Sequence, residues 1–431
     1  MSGVVDKAPA PRPLQRLAVL GPGLMGLGLA RLAVRAGVQV ALLGRDLAHA
    51  TAGQQRLLAA LQREVARGRL ATAEAAAQGA RVRPADGLAH GLAALADCDL
   101  AIESVPEDRA LKSQALAQLQ TALPAHALLA SNTSGLPIAG LALNLPAPER
   151  FLGLHFFSPV QRMRLVEVVR GPATSAATLQ QALSWMRQLG QQPIVVRDGP
   201  GFFTSRVFAA YLDEAVAMVG EGVDAARIDA AALALGRAIG PLALLDDIGL
   251  RLNVQQAEQA RADGLPERFC RPLAAPVLQV LLQEGRAGRR QGGGFYEEVL
   301  GGARQPWAGL TKHFTPHDKQ PGLARIGQRL RGVEVLEALR CLEEGVVASA
   351  DDADTASLLG LGFPAAGGGV LRWAEDFGLA AGVALCDTLE REHGPRFAPS
   401  AWLRSVAGSS KGLAAWRVRP GNLGGQYRAL V

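Results

Sequence analysis

Two residues capable of acid–base chemistry lie in neighbouring apolar runs of the sequence. Residues 151–170 read FLGLHFFSPVQRMRLVEVVR, with His155 in the first run and Glu167 in the second. Ser158-Pro159 begins a turn, so the pattern predicts a two-strand hairpin. Since His155 and Glu167 are equidistant from Gln161, they should face each other across it. An imidazole held by a carboxylate is an oriented general base.

On its own, such a pair is more typical of a buried polar contact that serves packing, because structural ion pairs also perturb titration. The rest of the chain decides between the two interpretations. It contains a second motif with a chemical purpose.

A glycine-rich loop follows the first apolar strand, Leu17–Leu20, and precedes a run with helical spacing that ends at Gly37. In this order, glycines permit a tight turn, close approach of a pyrophosphate and tight packing of helix on strand. A second strand over Val38–Leu43 completes the spacing of a nucleotide-binding unit. The loop residues expected to bind the cofactor are Gly21, Gly23, Leu24, Met25 and Gly26.

The end of that second strand bears on the choice between NAD and NADP. It reads Leu43-Gly44-Arg45-Asp46, with Gly44 where a ribose-binding acid is expected. A guanidinium in place of a carboxylate suits a 2′-phosphate, so we expect NAD or NADP with a preference for NADP. The alternatives are that Asp46 still binds the ribose, or that Arg45 only covers the adenine.

Polar residues follow two further strands, at 100–105 and 127–135. A helix from Asp108 to about Leu123 separates them, and this alternation predicts a parallel sheet. Ligands bind beyond the carboxyl ends of such strands. There the chain offers Glu103, Pro106, Glu107 and the run Ser131-Asn132-Thr133-Ser134.

Composition argues against several classes of protein. The 431 residues are 49% hydrophobic and 19% charged with a net charge of +6, and the basic residues are scattered, so we expect no nucleic-acid partner. No run is long and apolar enough for a membrane helix or an export signal. Four well-separated cysteines, Cys98, Cys270, Cys341 and Cys386, show no metal-ligand spacing and suggest reduced core residues of a cytoplasmic protein.

With those residues in view, the chain resembles the L-3-hydroxyacyl-CoA dehydrogenase family. The motifs GPGLMGLGLA, IESVPED with Lys112, ASNTS, HFFSPV with LVEVV, DGPGFF, IGPLALLDDIGL and GGGFYE occur in the family's order. The resemblance runs from Leu17 to Glu297. It implies interconversion of a (3S)-3-hydroxyacyl-CoA and a 3-ketoacyl-CoA in β-oxidation of fatty or related acyl groups.

The resemblance also implies roles for single residues. His155 would take the proton from the C3 hydroxyl, Glu167 would orient the imidazole, and Ser134 would hydrogen-bond the substrate oxygen. The remaining residues implied at the cofactor are Glu107, Lys112 and Asn132. No metal is implied.

Two departures lie close to the chemistry. The family usually has Asn where this chain has Ser158 and Ser205. The second position helps to bind the C3 oxygen, and serine is shorter there. Either a water fills the gap or the pocket accepts a different acyl group.

The second half has helical periodicity from Gly201 onward, and it is repeated. EAVAMVGEGV, beginning at Glu214, resembles EALRCLEEGV, beginning at Glu337, which indicates an internal duplication. We therefore predict an α/β protein with an N-terminal Rossmann-like doubly wound sheet and two tandem all-helical modules. Such a tandem resembles the dehydrogenase portion of multifunctional fatty-acid oxidation enzymes, without their hydratase portion.

The predicted organisation is a flexible tail over 1–16, a dinucleotide-binding domain over 17–199, a first helical module over 200–297, a linker over 298–325 and a second helical module over 326–431. In shorter family members one such module forms the dimer contact. Here the second copy could cover that face internally, so we expect a monomer, with a dimer as the alternative.

Two rival functions stay open. A nucleotide-binding homologue that has lost catalysis would explain Ser158 and Ser205, although His155 and Glu167 argue against it. A related dehydrogenase of free β-hydroxyacids would need a lysine base on a later helix, and the sequence offers no comparable placement.

Overall fold

The computed structural model describes residues 11–299 and 302–417, and the chain divides into two compact units with the boundary in the sequence between Phe202 and Phe203. The first unit is an α/β unit and the second is mainly helical. No helix in the described part of the chain is long and apolar enough to cross a membrane.

The first unit alternates strands and helices. Its strands are β1 (Arg16–Leu20), β2 (Gln39–Leu43), β3 (Val82–Ala85), β4 (Leu100–Glu103), β5 (Leu128–Ser131), β6 (Phe151–Phe156), β7 (Leu165–Arg170) and β8 (Gln192–Arg197). Its helices are α1 (Leu24–Arg35), α2 (Leu47–Ala66), α3 (Thr72–Ala80), α4 (Gly87–His90), α5 (Arg109–Ala122), α6 (Ile138–Ala142) and α7 (Ala176–Gln188).

The eight strands form one sheet in the order β3-β2-β1-β4-β5-β6-β7-β8. Strands β1 to β6 run parallel, β7 is antiparallel to β6, and β8 is parallel to β7. Chain order reverses between β1 and β4, which is the position where ligands bind in sheets of this kind. The Rossmann-like sheet with flanking helices is therefore confirmed.

Central strands of this sheet are apolar because both faces are covered. All four residues of β4 and of β5 are buried, as are all six of β6. Helices α1, α2 and α7 contribute to the same buried cluster. Glu103, His155 and Glu167 are ionisable residues that β4, β6 and β7 carry into the interior, and each therefore needs a polar partner.

Part of the predicted tail is ordered. Leu14 is buried, and the side-chain amide of Gln188 accepts from the Leu14 N–H at 2.7 Å and donates to its carbonyl at 2.8 Å. Residues 11–16 thus pack on the first unit, because an apolar side chain finds a buried site and its backbone finds a matching amide. Residues 1–10 of that prediction lie outside the described residues.

The second unit is built mostly from helices. They are α8 (Thr204–Gly220), α9 (Ala225–Ala234), α10 (Pro241–Ile248), α11 (Arg251–Ala262), α12 (Ala274–Gln283), α13 (Leu310–His313), α14 (Leu323–Glu343), α15 (Ala350–Gly360), α16 (Val370–Phe377), α17 (Leu379–His393) and α18 (Ala401–Ala407). Residues 418–431, which end the predicted second module, lie outside the described residues.

The expectation of an all-helical second half was wrong in one place. Tyr296–Glu298 (β9) and Arg304–Pro306 (β10) pair as a short antiparallel sheet. The buried carboxylate of Asp246 accepts from the N–H groups of Phe295 and Tyr296 at 2.8 Å each, which fixes the start of this hairpin. The sequence between β9 and α14 that we predicted as a linker therefore contains β10 and α13.

The duplication is visible in the geometry of the second unit. Asp229 at α9 accepts from the first N–H groups of α10, at Leu242 and Ala243. Asp354 at α15 does the same for α16, at Leu371 and Arg372. Each carboxylate satisfies donors that a helix N-terminus leaves unpaired. Two helix pairs with the same capping device support the interpretation of a repeated module.

Candidate active site

His155 and Glu167 form a buried pair across strands β6 and β7. They are direct partners in the antiparallel register, and His155 Nδ1 lies 2.7 Å from Glu167 Oε2. His155 is 6% exposed and Glu167 is fully buried. The predicted hairpin and its register are confirmed. A carboxylate that holds Nδ1–H leaves Nε2 as the basic nitrogen of the neutral imidazole.

Two aromatic rings enclose this imidazole. The ring centroids of Phe157 and Phe202 lie 4.4 and 6.1 Å from that of His155. Phe202 is fully buried with φ 51°, a left-handed backbone conformation that costs a bulky residue energy. Gly201 beside it donates its N–H to the Gly135 carbonyl at 3.4 Å. Sequence reasoning missed Phe202, although two glycines before an aromatic pair in DGPGFF signalled an unusual backbone.

The end of β5 is joined to the histidine strand by a side chain. Asn132 Oδ1 accepts from the Phe156 N–H at 3.0 Å, one residue beyond His155. The Asn132 amide nitrogen lies 3.5 Å from Ser104 Oγ at the end of β4. The structure therefore brings together the carboxyl ends of β4, β5 and β6. The sequence predicted only that strands and helices alternate here.

Glu107 lies at the same edge of the sheet. Its Oε1 accepts from Thr133 Oγ at 2.6 Å, from the Ser134 N–H at 3.1 Å and from Ser134 Oγ at 3.3 Å. Thr133 is fully buried, and its hydroxyl also accepts from the N–H groups of Gly135 and Leu136. Thr133 belongs to the polar run that the sequence offered at this edge, but no individual role was predicted for it.

Lys112 occupies the interior rather than the surface. It is 1% exposed, and its ammonium donates to Glu103 Oε1 at 2.8 Å and to the Val105 carbonyl at 3.1 Å. Glu107 Oε2 lies 3.3 Å from the same nitrogen. Three acceptors surround a group that has three protons to donate.

The glycine loop between β1 and α1 has little room at two positions and open space at a third. A Cβ on Gly21 (φ 102°) would lie 2.4 Å from the Ser104 carbonyl oxygen, and one on Gly26 would lie 1.9 Å from the Gly21 carbonyl oxygen. A Cβ on Gly23 would meet no atom within 4 Å. Gly23 precedes the first residue of α1, where backbone N–H groups can receive a phosphate.

Leu24 and Met25 begin α1 beside that open space. Leu24 is 78% exposed, whereas Met25 is partly buried against the core of the first unit. No acidic residue lies in the first turn of the helix. A dinucleotide phosphate therefore fits this end of α1 without charge repulsion.

The backbone at Gly44 has no space for a side chain. A Cβ there would lie 2.7 Å from both the Ala50 nitrogen and the Asp46 carbonyl oxygen. Asp46 Oδ1 accepts from the His49 N–H at 2.6 Å and caps α2, and that bond holds the pKa of Asp46 below its usual value. The Arg45 side chain is 81% exposed.

The two serines that replace asparagine lie in different units. Ser158 is exposed and follows β6 in the first unit, whereas Ser205 is the second residue of α8 in the second unit. Val160, two residues after Ser158, is buried and packs against α1, where a Cβ on Gly28 would lie 2.8 Å from it.

A mainly parallel sheet with a glycine loop at its switch point, and a buried imidazole–carboxylate pair across β6 and β7, are features of a dinucleotide-dependent oxidoreductase. The chain belongs to the 3-hydroxyacyl-CoA dehydrogenase family. Residues 16–199 match the family's NAD-binding domain, and residues 201–298 match its C-terminal domain.

Solved structures agree with this assignment. The 3-hydroxybutyryl-CoA dehydrogenase of Escherichia coli is 28% identical, with a TM-score of 0.78 over 91% of this chain and 98% of that one. FadB2 of Mycobacterium tuberculosis is 34% identical, with a TM-score of 0.61 over 67% of this chain and 100% of that one. The dehydrogenase part of a multifunctional enzyme from Caenorhabditis elegans, 23% identical, shares the fold with a TM-score of 0.59 over 91% and 90%.

Proposed function

We propose that the protein interconverts a (3S)-3-hydroxyacyl-CoA and the corresponding 3-ketoacyl-CoA, in β-oxidation of fatty or related acyl groups. The observation that carries this proposal is the 2.7 Å contact between His155 Nδ1 and Glu167 Oε2, buried beside a dinucleotide-binding edge of the sheet. The similar Escherichia coli protein is a 3-hydroxybutyryl-CoA dehydrogenase, which supports the same substrate class.

The chain supplies the proton chemistry of this reaction. His155 Nε2 takes the proton of the C3 hydroxyl during oxidation and returns it during reduction. Glu167 fixes the ring and stabilises the imidazolium that forms. Ser134 and Ser205 hydrogen-bond the substrate oxygen. The nicotinamide cofactor, when bound, accepts or donates the hydride.

The cofactor fits the residues that line the glycine loop. The open space above Gly23, the free N-terminus of α1 and the exposed Arg45 support binding of a dinucleotide with its pyrophosphate at Gly21 to Gly26. Glu107, Asn132 and Lys112 belong to the edge proposed to receive the nicotinamide. We propose NADP as the preferred cofactor, since position 44 cannot carry a ribose-binding acid without movement of the backbone.

The test follows NADPH and NADH absorbance with acetoacetyl-CoA and with longer and branched 3-ketoacyl-CoAs. We expect H155A to lower kcat by about 100- to 10,000-fold, because general acid–base catalysis contributes that much. E167Q, which keeps the shape but removes the charge, should lower kcat by at least about tenfold. H126A is the matched control, since His126 is 39% exposed on another part of the first unit.

One alternative is a nucleotide-binding protein without catalysis, and the serines at positions 158 and 205 favour it. This alternative predicts tight cofactor binding by the wild-type protein with no turnover of any 3-ketoacyl-CoA. That result would refute the proposed dehydrogenase activity.

A further inference from the structure

Helix α2 packs directly against the glycine loop that follows β1. Gly53, in the middle of this helix, is buried, and a Cβ there would lie 2.5 Å from Pro22 Cβ. Glycine inside a helix is unfavourable, so the close approach of the loop accounts for its presence here. Since residues three apart lie on the same face of a helix, Arg56 is also directed at the loop.

Arg56 is anchored by two hydrogen bonds to backbone carbonyls. Its Nε donates to the Ala52 carbonyl of its own helix at 3.3 Å, and its Nη2 donates to the Pro22 carbonyl at 2.8 Å. The first bond fixes the guanidinium on α2, and the second joins it to the glycine loop. An exposed arginine is in this way held in one position beside the loop.

The guanidinium keeps most of its donors and its charge for a ligand. It has five N–H groups, and the hydrogen bonds to the two carbonyls use only two of them. Both acceptors are neutral, and among the described residues no carboxylate forms an ion pair with Arg56. Its Nη1 makes no hydrogen bond to the described part of the chain. A planar fork of unused donors matches a phosphate group.

This charge lies beside the end of the loop that we propose to receive the pyrophosphate. Because the Pro22 carbonyl carbon is bonded to the Gly23 nitrogen, Arg56 Nη2 lies within about 5 Å of Gly23. A Cβ on Gly23 would meet no atom within 4 Å, and α1 begins at the next residue without an acidic side chain in its first turn. Open space, a helix N-terminus and a cation with unused donors are therefore found together.

The charge of a pyrophosphate calls for such a cation. A helix N-terminus supplies only about half a positive charge, whereas both phosphates of the ligand are negatively charged. Either the dinucleotide or the CoA of the substrate could bring a pyrophosphate to this protein. The contact of Arg56 with the loop at the switch point of the sheet favours the dinucleotide.

We infer that Arg56 binds the pyrophosphate of NAD or NADP through its unused donors, while its bond to Pro22 holds the guanidinium against the loop. This inference rests on the proposed function and adds a residue to its cofactor site. It also gives the two arginines different tasks. Arg56 serves both cofactors, whereas Arg45 serves only the 2′-phosphate.

The test measures the dissociation constants of NADH and NADPH by fluorescence and that of ADP-ribose by calorimetry. R56M removes the charge and keeps the aliphatic part of the side chain. It should weaken the binding of all three ligands by about 10- to 100-fold, because hydrogen bonds between charged groups are strong. R63M, at an exposed arginine further along α2, is the matched control and should change these affinities by less than about twofold.

R56Q separates the charge of Arg56 from its bond to the loop. It keeps a side-chain amide that can donate to the Pro22 carbonyl but carries no charge, so we expect the same loss of affinity as in R56M. Added salt should weaken NADH binding by a larger factor in wild type than in either variant, because salt screens the contact between charges. Wild-type affinity in R56Q, or the same salt dependence in all three proteins, would overturn the inference.

The pattern across ligands shows which phosphate Arg56 contacts. A loss confined to NADPH would assign it to the 2′-phosphate, and weaker binding of CoA with unchanged binding of ADP-ribose would assign it to the substrate. Either result would overturn the inference. Wild-type protein that binds no dinucleotide would refute the proposed function as well. Active wild type with normal cofactor binding in R56M would refute the inference alone, whereas the expected losses in a protein without turnover would refute only the proposed dehydrogenase activity.

Discussion

The contacts of Arg45 and Asp46 indicate which of the two side chains is available to the cofactor. Its side chain is 81% exposed, and its Nε lies 3.4 Å from Asp46 Oδ2. Contacts between exposed charges are weak, so Arg45 can release Asp46 and bind a phosphate. Asp46 is less available to a ribose, because Oδ1 already accepts from the His49 N–H that starts α2.

We expect R45A to lower kcat/KM for NADPH by about 10- to 100-fold, because a guanidinium–phosphate contact contributes a charge-assisted hydrogen bond. The value for NADH should stay within about twofold. Steady-state kinetics with both cofactors measures the ratio, and R35A, at the end of α1, is the control. Equal losses with both cofactors would contradict a role for Arg45 in 2′-phosphate binding.

The identity of the candidate base, another single residue, was available from the sequence. A histidine and a glutamate at equal distances from a turn predicted their direct pairing, and the register confirms it. Lys112 was different. Its position in a motif did not show that three acceptors surround it, because Glu103 at the end of β4 and Val105 and Glu107 in the loop that follows meet at the ammonium only in the folded chain.

The connection from β1 to α1 is the element that binds phosphate in our proposal, and its glycines serve two purposes. Gly26 permits packing, since a Cβ there would collide with the Gly21 carbonyl oxygen at 1.9 Å. Gly23 leaves space, since its Cβ would meet nothing within 4 Å. Gly23 also has φ −76°, which any residue can adopt.

Two matched variants separate these purposes. G26A should lower the free energy of unfolding by about 1 to 3 kcal/mol, the usual cost of overpacking. G23A should leave the free energy of unfolding within about 0.5 kcal/mol of wild type. It should nevertheless weaken cofactor binding by at least about tenfold, which corresponds to about 1.4 kcal/mol.

Urea unfolding and fluorescence titration of the reduced cofactor measure the two effects. A G23A protein that binds cofactor normally would show that the pyrophosphate does not approach this residue. Sequence reasoning predicted the order of strand, loop and helix here. It also assigned close packing to Gly26 and approach of the pyrophosphate to Gly23, but the atom that a Cβ on Gly26 would meet, the Gly21 carbonyl oxygen, is known only from the structure.

The second unit contains a reciprocal arrangement of ion pairs between α8 and α14. Arg206 on α8 pairs with Glu337 and, at 2.6 Å, with Glu344. Arg329 on α14 donates to Glu214 at 2.8 Å and to Glu221 at 2.7 Å. The corresponding residues of the two copies are separated by the same offset along the chain, since 329−206, 337−214 and 344−221 all equal 123.

This exchange is what a two-fold symmetric interface would show, where residue i meets j and j meets i. The two copies of the helical module within one chain therefore compensate each other's buried charges. Arg206 and Arg329 are 6% and 5% exposed, so each cation depends on its partner copy for compensation.

For the molecule as a whole, we therefore expect a monomer. Sedimentation equilibrium at micromolar concentration should give a mass near 45.0 kDa. Within the chain, α8 is already paired with α14 and its C-terminal end through these ion pairs, so we expect no second chain to pack there. A stable dimer that dissociates on charge reversal at Arg206 would contradict this expectation.

The same ion pairs predict a dependence of stability on pH. Burial alone would raise the pKa of Glu344, but hydrogen bonds and the charges of Arg206 and Arg268 outweigh it and lower the pKa to about 2. A carboxyl group whose pKa is lowered by folding stabilises the folded state fully at pH values above its unfolded pKa of 4.5. That stabilisation is lost as the pH falls towards 2.

We expect E344Q to lower the free energy of unfolding by about 1 to 2 kcal/mol at pH 7, allowing for the partial exposure of Glu344. The difference in the free energy of unfolding from wild type should shrink as the pH falls below about 4.5. E221Q should show the same pH dependence, because Arg329 and Arg396 lower the pKa of Glu221 although its burial opposes this. Urea midpoints at several pH values measure the effect. E258Q, at an exposed glutamate, is the control, and a pH-independent difference would argue against linkage to this carboxyl.

Patterns along the chain were sufficient to predict the architecture and the candidate base. Periodicity, glycine spacing and the internal repeat are local signals, and they predicted the Rossmann-like sheet, the helical modules and the pairing of His155 with Glu167. Local signals could not reveal the β9–β10 hairpin, whose start is fixed by the distant carboxylate of Asp246.

The environment of those residues was set by tertiary contacts that no local pattern contains. These contacts placed Phe157 and Phe202 around the imidazole and connected Lys112 to Thr133 through Glu107. They also paired Arg206 with a glutamate of the second helical module. The physical reason is common to all three. Burial forces each polar or strained group to find compensating partners, and some of those partners, such as Thr133 for Glu107 and Glu337 for Arg206, come from distant segments of the chain.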